Sequence, residues 1–218
     1  MDEFADDLQA NVIGTMQKIA QGDLSTNVTP KDTQDEISPA LKQMTESLRG
    51  LVAEAGMLSK AAVDGKLATR GNAEKFQGGY REIVQGVNDT LDSVIGPLNV
   101  AAEYVDRISK GDIPAKITDS YNGDFNEIKN NLNQAIGAVN ALVADASMLS
   151  RAAVEGKLAT RADASKHGGD FRKIVQGVND TLDSVIGPLN VAAEYVDRIS
   201  KGDIPAKITD NYNGDFNE

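Results

Sequence analysis

With 218 residues, 5% aromatics and no tryptophan, the chain has room for several small domains but little material for one large globular core. A formal net charge of −11 repels phosphate backbones and acidic lipid surfaces, which argues against nucleic-acid binding. The absence of cysteine excludes disulfides and thiolate metal sites and fits a reducing compartment, and no apolar run approaches the roughly 20 residues that span a bilayer. Asp2, Glu3, Asp6 and Asp7 stand where a secretory leader carries basic residues, so no leader is expected; the expected location is cytoplasmic, either as a cytoplasmic protein or as the cytoplasmic part of an inner-membrane receptor.

The chain is an array. Residues 51–127 recur at 142–218, and residues 96–119 recur unchanged as 187–210. Each repeat is itself double. A glycine, a polar residue and an aliphatic one recur at Gly22-Asp23-Leu24, Gly65-Lys66-Leu67, Gly111-Asp112-Ile113, Gly156-Lys157-Leu158 and Gly202-Asp203-Ile204. The polar residue alternates between Asp and Lys, which defines two module types, GD and GK. A second marker, an acidic residue before Ile, stands at Glu36, Glu82 and Glu127, with Lys173 as the odd member; Glu218 is the last of the series.

In chain order, first helices are expected over 5–21, 51–64, 97–110, 142–155 and 188–201. Second helices are expected over 36–50, 81–96, 127–141 and 172–187, each running straight into the next first helix. Apolar residues fall along them in a 4,3 rhythm. The seam takes Leu41, Met44, Leu48, Leu51 and Leu58, then Val87, Leu91, Val94, Leu98, Val105 and Ile108, then Ile128, Leu132, Val139, Leu142 and Leu149. Spacing that averages about 3.5 over several heptads is a coiled-coil pattern. A helix with so narrow an apolar face needs partners to stand in water. Gly22, Gly65, Gly111, Gly156 and Gly202 are placed to cap the helix ends, because glycine takes left-handed φ cheaply.

Between Gly111 and Asp124 about 14 residues read as non-helical, with Pro114 and Gly123 opposing helix. An antiparallel turn needs only about 2–5 residues. A connector of this length can run back along a helix, so its flanking helices are expected to lie parallel. Leu24 and Val28, Ile113 and Ile117, and Ile204 and Ile208 read as aliphatic pins that hold each connector to the bundle. Gly71 and Ala162 stand where Ile117 stands, so the GK connectors are expected to pack less well. Lys173 reverses the charge expected at a helix start, which is unfavourable to the helix dipole. Pro97 and Pro188 lie inside otherwise continuous helices, where each deletes a backbone hydrogen bond and marks a junction between modules.

His167 is the lone histidine, and Phe76 is its equivalent one repeat earlier. Its neighbours Lys166, Gly168 and Gly169 supply none of the partners that phosphoryl acceptance or metal binding needs, so it reads as a solvated or pinning residue. Gly78-Gly79 and Gly168-Gly169 lack the preceding strand and following Lys-Ser/Thr of a phosphate cradle. No nucleophile–base pairing is visible, and neither enzyme activity, a cofactor, a metal nor a small-molecule substrate is expected.

A helix, a Gly-Asp-aliphatic turn, a connector with two aliphatic pins and an acidic residue before a second helix: this succession resembles the HAMP domain. The alternation resembles the poly-HAMP arrays of bacterial and archaeal sensor histidine kinases and chemoreceptors. On that resemblance the modules cover residues 5–50, 51–96, 97–141, 142–187 and 188–218. The second and fourth are of a divergent type, and the fifth stops at its second helix, as a fragment would. The family's proline near the start of the first helix matches Pro97 and Pro188, whereas Leu8, Leu51 and Leu142 stand there in the other modules. The resemblance implies an all-α fold: tandem parallel four-helix coiled coils, two helices from each chain of a homodimer, stacked into an elongated rod. It implies a relay of conformational signals between an upstream sensor and a downstream output domain of the same protein. The competing expectation is a coiled-coil rod that only sets a distance.

Overall fold

A computed structural model describes residues 12–30 and 35–217. The marker Glu218 and the first part of the expected first helix, residues 5–11, lie outside the described residues. Five α-helices are described: α1 (Gly14–Ala20), α2 (Ile37–Val63), α3 (Gly78–Ser109), α4 (Gly123–Val154) and α5 (Gly169–Ser200). Short 3₁₀ turns lie at Ala73–Lys75, Ala164–Lys166 and Gly214–Asn217, and no strand occurs among the described residues. None of these helices is long and apolar enough to cross a membrane. The chain divides into two compact units, residues 1–100 and 101–218.

The helices end where left-handed glycines stop them. Gly111 has φ +79, and the turn is closed by Gly111 N–H to the Ile108 carbonyl at 3.0 Å and Asp112 N–H to the Arg107 carbonyl at 3.0 Å. This pair of bonds satisfies carbonyls that the helix end leaves open, and a side chain at that φ is strained. Gly22, Gly65, Gly156 and Gly202 repeat the geometry, with φ between 71° and 85°.

The helix starts differ from the sequence expectation. α3, α4 and α5 begin at Gly78, Gly123 and Gly169, four residues before the markers Glu82, Glu127 and Lys173. Gly123 therefore opens a helix rather than opposing one: with φ +53 it turns the extended connector into α4. Asp124 and Asp170 occupy the first turns, where a carboxylate favours the positive end of the helix dipole. Lys173 stands about one turn inside α5 and closes on Asp170 at 2.8 Å, so the unfavourable charge expected there is offset. In α2 the start is held by Asp35, whose carboxylate accepts from Ile37 N–H at 3.2 Å and Ser38 N–H at 3.0 Å.

Within the first unit, the connector after α2 runs back along it. Arg70 reaches Asp92 on α3, Gly71 lies by Leu58 and Glu54 of α2, and Phe76 lies against Gly50. Rising positions on α2 and α3 thus meet falling positions on the connector, so α2 and α3 run parallel. In the second unit His167 meets Asp145 of α4, Ala162 meets Asn179 of α5, and Arg161 meets Asp183 of α5. The same reasoning makes α4 and α5 parallel.

Candidate functional site

Two side-chain stripes run along α3 and α5. On α5 the first takes Val175, Asn179, Leu182 and Ile186, which are buried or half-buried within the chain. The second, one position earlier, takes Ile174, Val178, Val185, Leu189 and Val196, aliphatics that are 40–67% exposed. Both follow heptad spacing. α3 repeats the pattern, with Val84, Asn88 and Ile95 buried, and Ile83, Val87, Val94, Leu98 and Val105 exposed. The first stripe faces the chain's own connector; the second is a ridge of Val, Ile and Leu that is more exposed to solvent.

The seam positions divide between these environments. Leu41 is buried inside the chain. Met44, Leu48, Leu51, Leu58, Leu91, Ile108, Leu132, Val139, Leu142 and Leu149 are half-buried, while Val87, Val94, Leu98, Val105 and Ile128 are exposed. Pro97 and Pro188 lie inside α3 and α5, half-buried.

Among the connector pins, Ile117 is buried and Leu24, Val28 and Ile113 are half-buried. Ile204 and Ile208 are exposed, at 84% and 45%. Among the described residues only a 3₁₀ turn, Gly214–Asn217, follows them. Pro114 is fully buried beside Ile113.

The GK connectors pack closely, contrary to expectation. The apolar bulk has moved from connector to helix. A Cβ on Gly71 would lie 2.8 Å from Val84 Cγ1, so the valine of α3 already fills the volume that a pin would take. Val175 stands at the same place in α5 and is equally buried, whereas the matching residue of α4 is Lys129. Ala73, Phe76 and Val84 form one buried cluster, with Leu51 and Tyr80 against it. Phe76 in turn needs Gly50, where a Cβ would lie 2.9 Å from the ring.

A clamp that sequence reasoning missed fastens three connectors. Asn133 accepts from Ile117 N–H at 2.7 Å and donates to the Ile117 carbonyl at 2.9 Å. Asn88 makes the same pair with Gly71, at 2.9 Å each, and Asn179 with Ala162, at 3.1 and 2.8 Å. One side-chain amide thereby satisfies both backbone groups of a connector residue that has no strand to pair with. The signal was present: an Asn recurs six residues after the markers Glu82, Glu127 and Lys173, at 88, 133 and 179. In the first module Lys42 stands there, and Arg49 instead donates to the Leu24 and Thr26 carbonyls.

Charges distinguish the two turn types. In the GD turns at Gly111 and Gly202, Arg107 pairs with Asp112 and Arg198 with Asp203, both at 2.7 Å. Each aspartate is held below its usual range, chiefly by the arginine's hydrogen bond, and each arginine is raised by its aspartate. In the GK turns the lysine reaches the residue before the glycine: Lys66 lies 3.6 Å from Asp64, and Lys157 lies 2.7 Å from Glu155. These pairs are exposed and add little stability.

His167 is neither solvated nor alone. Its side chain is 2% exposed, and Nε2 lies 2.6 Å from Asp145 Oδ2. The carboxylate comes from α4, 22 positions away, which the local sequence could not supply. Among the described residues no group of three or more His, Asp or Glu is arranged to hold a metal ion.

Comparison with protein families finds two matches, both described as HAMP domain. One covers residues 10–53 and the other residues 75–141 and 166–218, together well over half of the chain.

Proposed function

Because the chain belongs to the HAMP domain family, whose members are signal-relay modules of receptors, we propose that it passes a conformational signal from an upstream sensor to a downstream output domain. The output is a histidine kinase or a chemoreceptor signalling hub, and the array works in the cytoplasm as a parallel homodimer, without a catalytic step of its own. A single observation carries the reading: helices run through the module boundaries without a break. α4 is a 32-residue helix that ends one module and begins the next, and α5 repeats the arrangement. At about 1.5 Å per residue each is about 48 Å long. No loop interrupts them to absorb a rotation or a slide, so a shift in one module's packing is imposed on its neighbour.

The exposed aliphatic stripe supports the dimer. One chain supplies two helices per module and leaves its ridge of Val, Ile and Leu in water; a second copy in register would cover it. A cysteine at Leu132 is expected to crosslink to its own counterpart, and a monomer at micromolar concentration with no crosslink would sink the dimer.

Relay and spacer separate by deletion in the full-length receptor. Removing residues 51–141 deletes one GK–GD pair, joins Gly50 to Leu142 and keeps the alternation; output is expected to stay regulated in the same sense. Removing residues 51–96 joins Gly50 to Pro97 and sets two GD modules in succession; output is expected to invert or lock. If both deletions behave alike, the array only sets a distance and the relay reading fails.

A further inference from the structure

The two GK connectors are built on different chemistry although their sequences are close copies. In the second module the connector is seated by an aromatic ring, Phe76, against the bare backbone of Gly50. Beside it Glu54 accepts from Lys75 Nζ at 2.8 Å and from Asn72 N–H at 3.1 Å. In the fourth module every member of this set except the lysine has changed. Phe76 becomes His167, Gly50 becomes Ala141, Glu54 becomes Asp145 and Asn72 becomes Asp163. Lys166, the counterpart of Lys75, has turned away to Asp163 at 3.8 Å. Asp145 has lost its lysine and taken the imidazole instead, at 2.6 Å. An apolar seat with a lysine–carboxylate tie has become a buried histidine–carboxylate tie.

We propose that the fourth module's connector is a proton-responsive clamp: protonated His167 grips Asp145 and holds the connector on α4, and loss of that proton loosens it, whereas the second module's connector keeps its grip. The proposal concerns the connector itself and does not rest on the relay reading. A histidine ordinarily changes charge between about pH 5 and 8, where no partner of the second connector does. Imidazolium to carboxylate is a charge-assisted bond, roughly twice as strong as its neutral counterpart. A neutral imidazole can still donate from Nε2, so the clamp weakens rather than vanishes.

The charged surroundings do not supply a second switch in that window. On α4, Asp145 is the one titratable residue within a turn of the contact. On the connector, Asp163 is held below the usual aspartate range, first by the Ser165 hydroxyl and then by the Ser165 amide, both of which donate to it. On α5, Arg172 donates to the His167 and Ala164 carbonyls at 3.1 and 3.2 Å, and Lys173 closes on Asp170. Lysine, arginine and aspartate at ordinary values keep their charges from pH 5.5 to 8.

The test uses the full chain and compares the two connectors inside one molecule. Amide exchange, corrected for the intrinsic pH dependence, is followed over residues 160–168 and 69–77. From pH 5.5 to pH 8, protection of the fourth connector relative to the second is expected to fall roughly 2- to 10-fold, the difference between a charged and a neutral hydrogen bond. An unchanged ratio overturns the proposal. The chain holds a single histidine, so its imidazole resonances can be followed without assignment. They are expected to move over the same pH range as the protection ratio, and a histidine that does not titrate there also overturns it. His167→Gln keeps a donor and has no proton to lose in this range, so its ratio is expected to be flat; a ratio that still falls assigns the effect elsewhere. Should that variant fail to fold, the reciprocal set in the second module, Phe76→His with Gly50→Ala and Glu54→Asp, is expected to make the second connector pH-sensitive. A second connector that stays insensitive counts against the proposal.

Discussion

The connector after Gly111 and the connector after Gly65 do the same work with the bulk on opposite sides. In the first, the connector carries the aliphatic: Ile117 is buried, and the matching place on the helix is Lys129. In the second, the helix carries it: Val84 is buried, and the connector offers Gly71. What the two modules share is the asparagine, Asn133 in one and Asn88 in the other, which binds both backbone groups of the connector residue in question. The comparison teaches that the module requires a filled volume and a backbone clamp, and that the side from which the volume is filled is free to change.

Removing the bulk is expected to have the largest effect and to stay local. Phe76→Ala should cost about 3–5 kcal/mol and Ile117→Ala about 2–5 kcal/mol, as for other large-to-small changes at buried sites. Amide exchange should report Phe76→Ala as an opening of residues 66–77 and Ile117→Ala as an opening of residues 112–122. If either change opens both connectors, they are not separately fastened.

Cutting the clamp tests what the connectors share. Asn88→Ala leaves the Gly71 N–H and carbonyl without partners in a buried site, at about 1–3 kcal/mol for each group, so about 2–6 kcal/mol together. Asn133 is only half-buried, and water can replace part of what Asn133→Ala removes. The expected order in chemical denaturation is therefore Asn88→Ala worse than Asn133→Ala. The reverse order would mean that burial does not set the value of the clamp.

How much of this was legible in the sequence follows from how far each interaction reaches. Helix-ending glycines are local: the residue that needs left-handed φ is the residue that shows in the sequence, as at Gly111. Gly123 was misread because glycine serves both to end a helix and to turn a chain into one, and only the bonds on either side tell which. The seam repeat was readable, but its division into an inward and an outward stripe was not. Val84 and Ile83 are neighbours of similar chemistry, and which of them faces the connector depends on the path of a segment 12 or more residues earlier. The clamp from Asn133 to Ile117 and the tie from Asp145 to His167 join residues 16 and 22 positions apart. Periodicity within one helix carries no trace of such pairs, although the copies at 88, 133 and 179 offered one.

Swapping the side that supplies the volume sharpens the comparison further. Gly71→Ile puts a second aliphatic where Val84 Cγ1 already stands 2.8 Å from a Cβ. Overpacking of this kind costs about 1–3 kcal/mol. Adding Val84→Ala should recover most of the loss, because the connector would then supply the bulk as Ile117 does. A double-mutant cycle with no coupling between the two positions would show that they do not compete for one space.

The smallest expected effect concerns charge at the second connector. The Glu54 carboxyl lies below its ordinary value of 4.5, first because Lys75 donates to it and further because the Asn72 amide does, against the opposing effect of burial. A carboxyl whose value is lowered in the folded state contributes stability that is present above the ordinary value. That stability is lost as the pH falls through the lowered one. Between pH 7 and 5 the second connector should therefore hold its protection, and below about pH 4.5 it should lose it. Glu54→Gln keeps an acceptor for Asn72 but gives up the charge that faces Lys75, whose side chain is 63% exposed. Because water screens the lysine, the cost at pH 7 should be at most about 1 kcal/mol. The acid-dependent part of the loss should disappear in this variant. The connector after Gly111 has no carboxylate in its Asn133–Ile117 clamp, so the same acid range should leave that clamp's protection unchanged. An equal acid loss in both connectors would trace the effect to unfolding of the whole chain and away from Glu54.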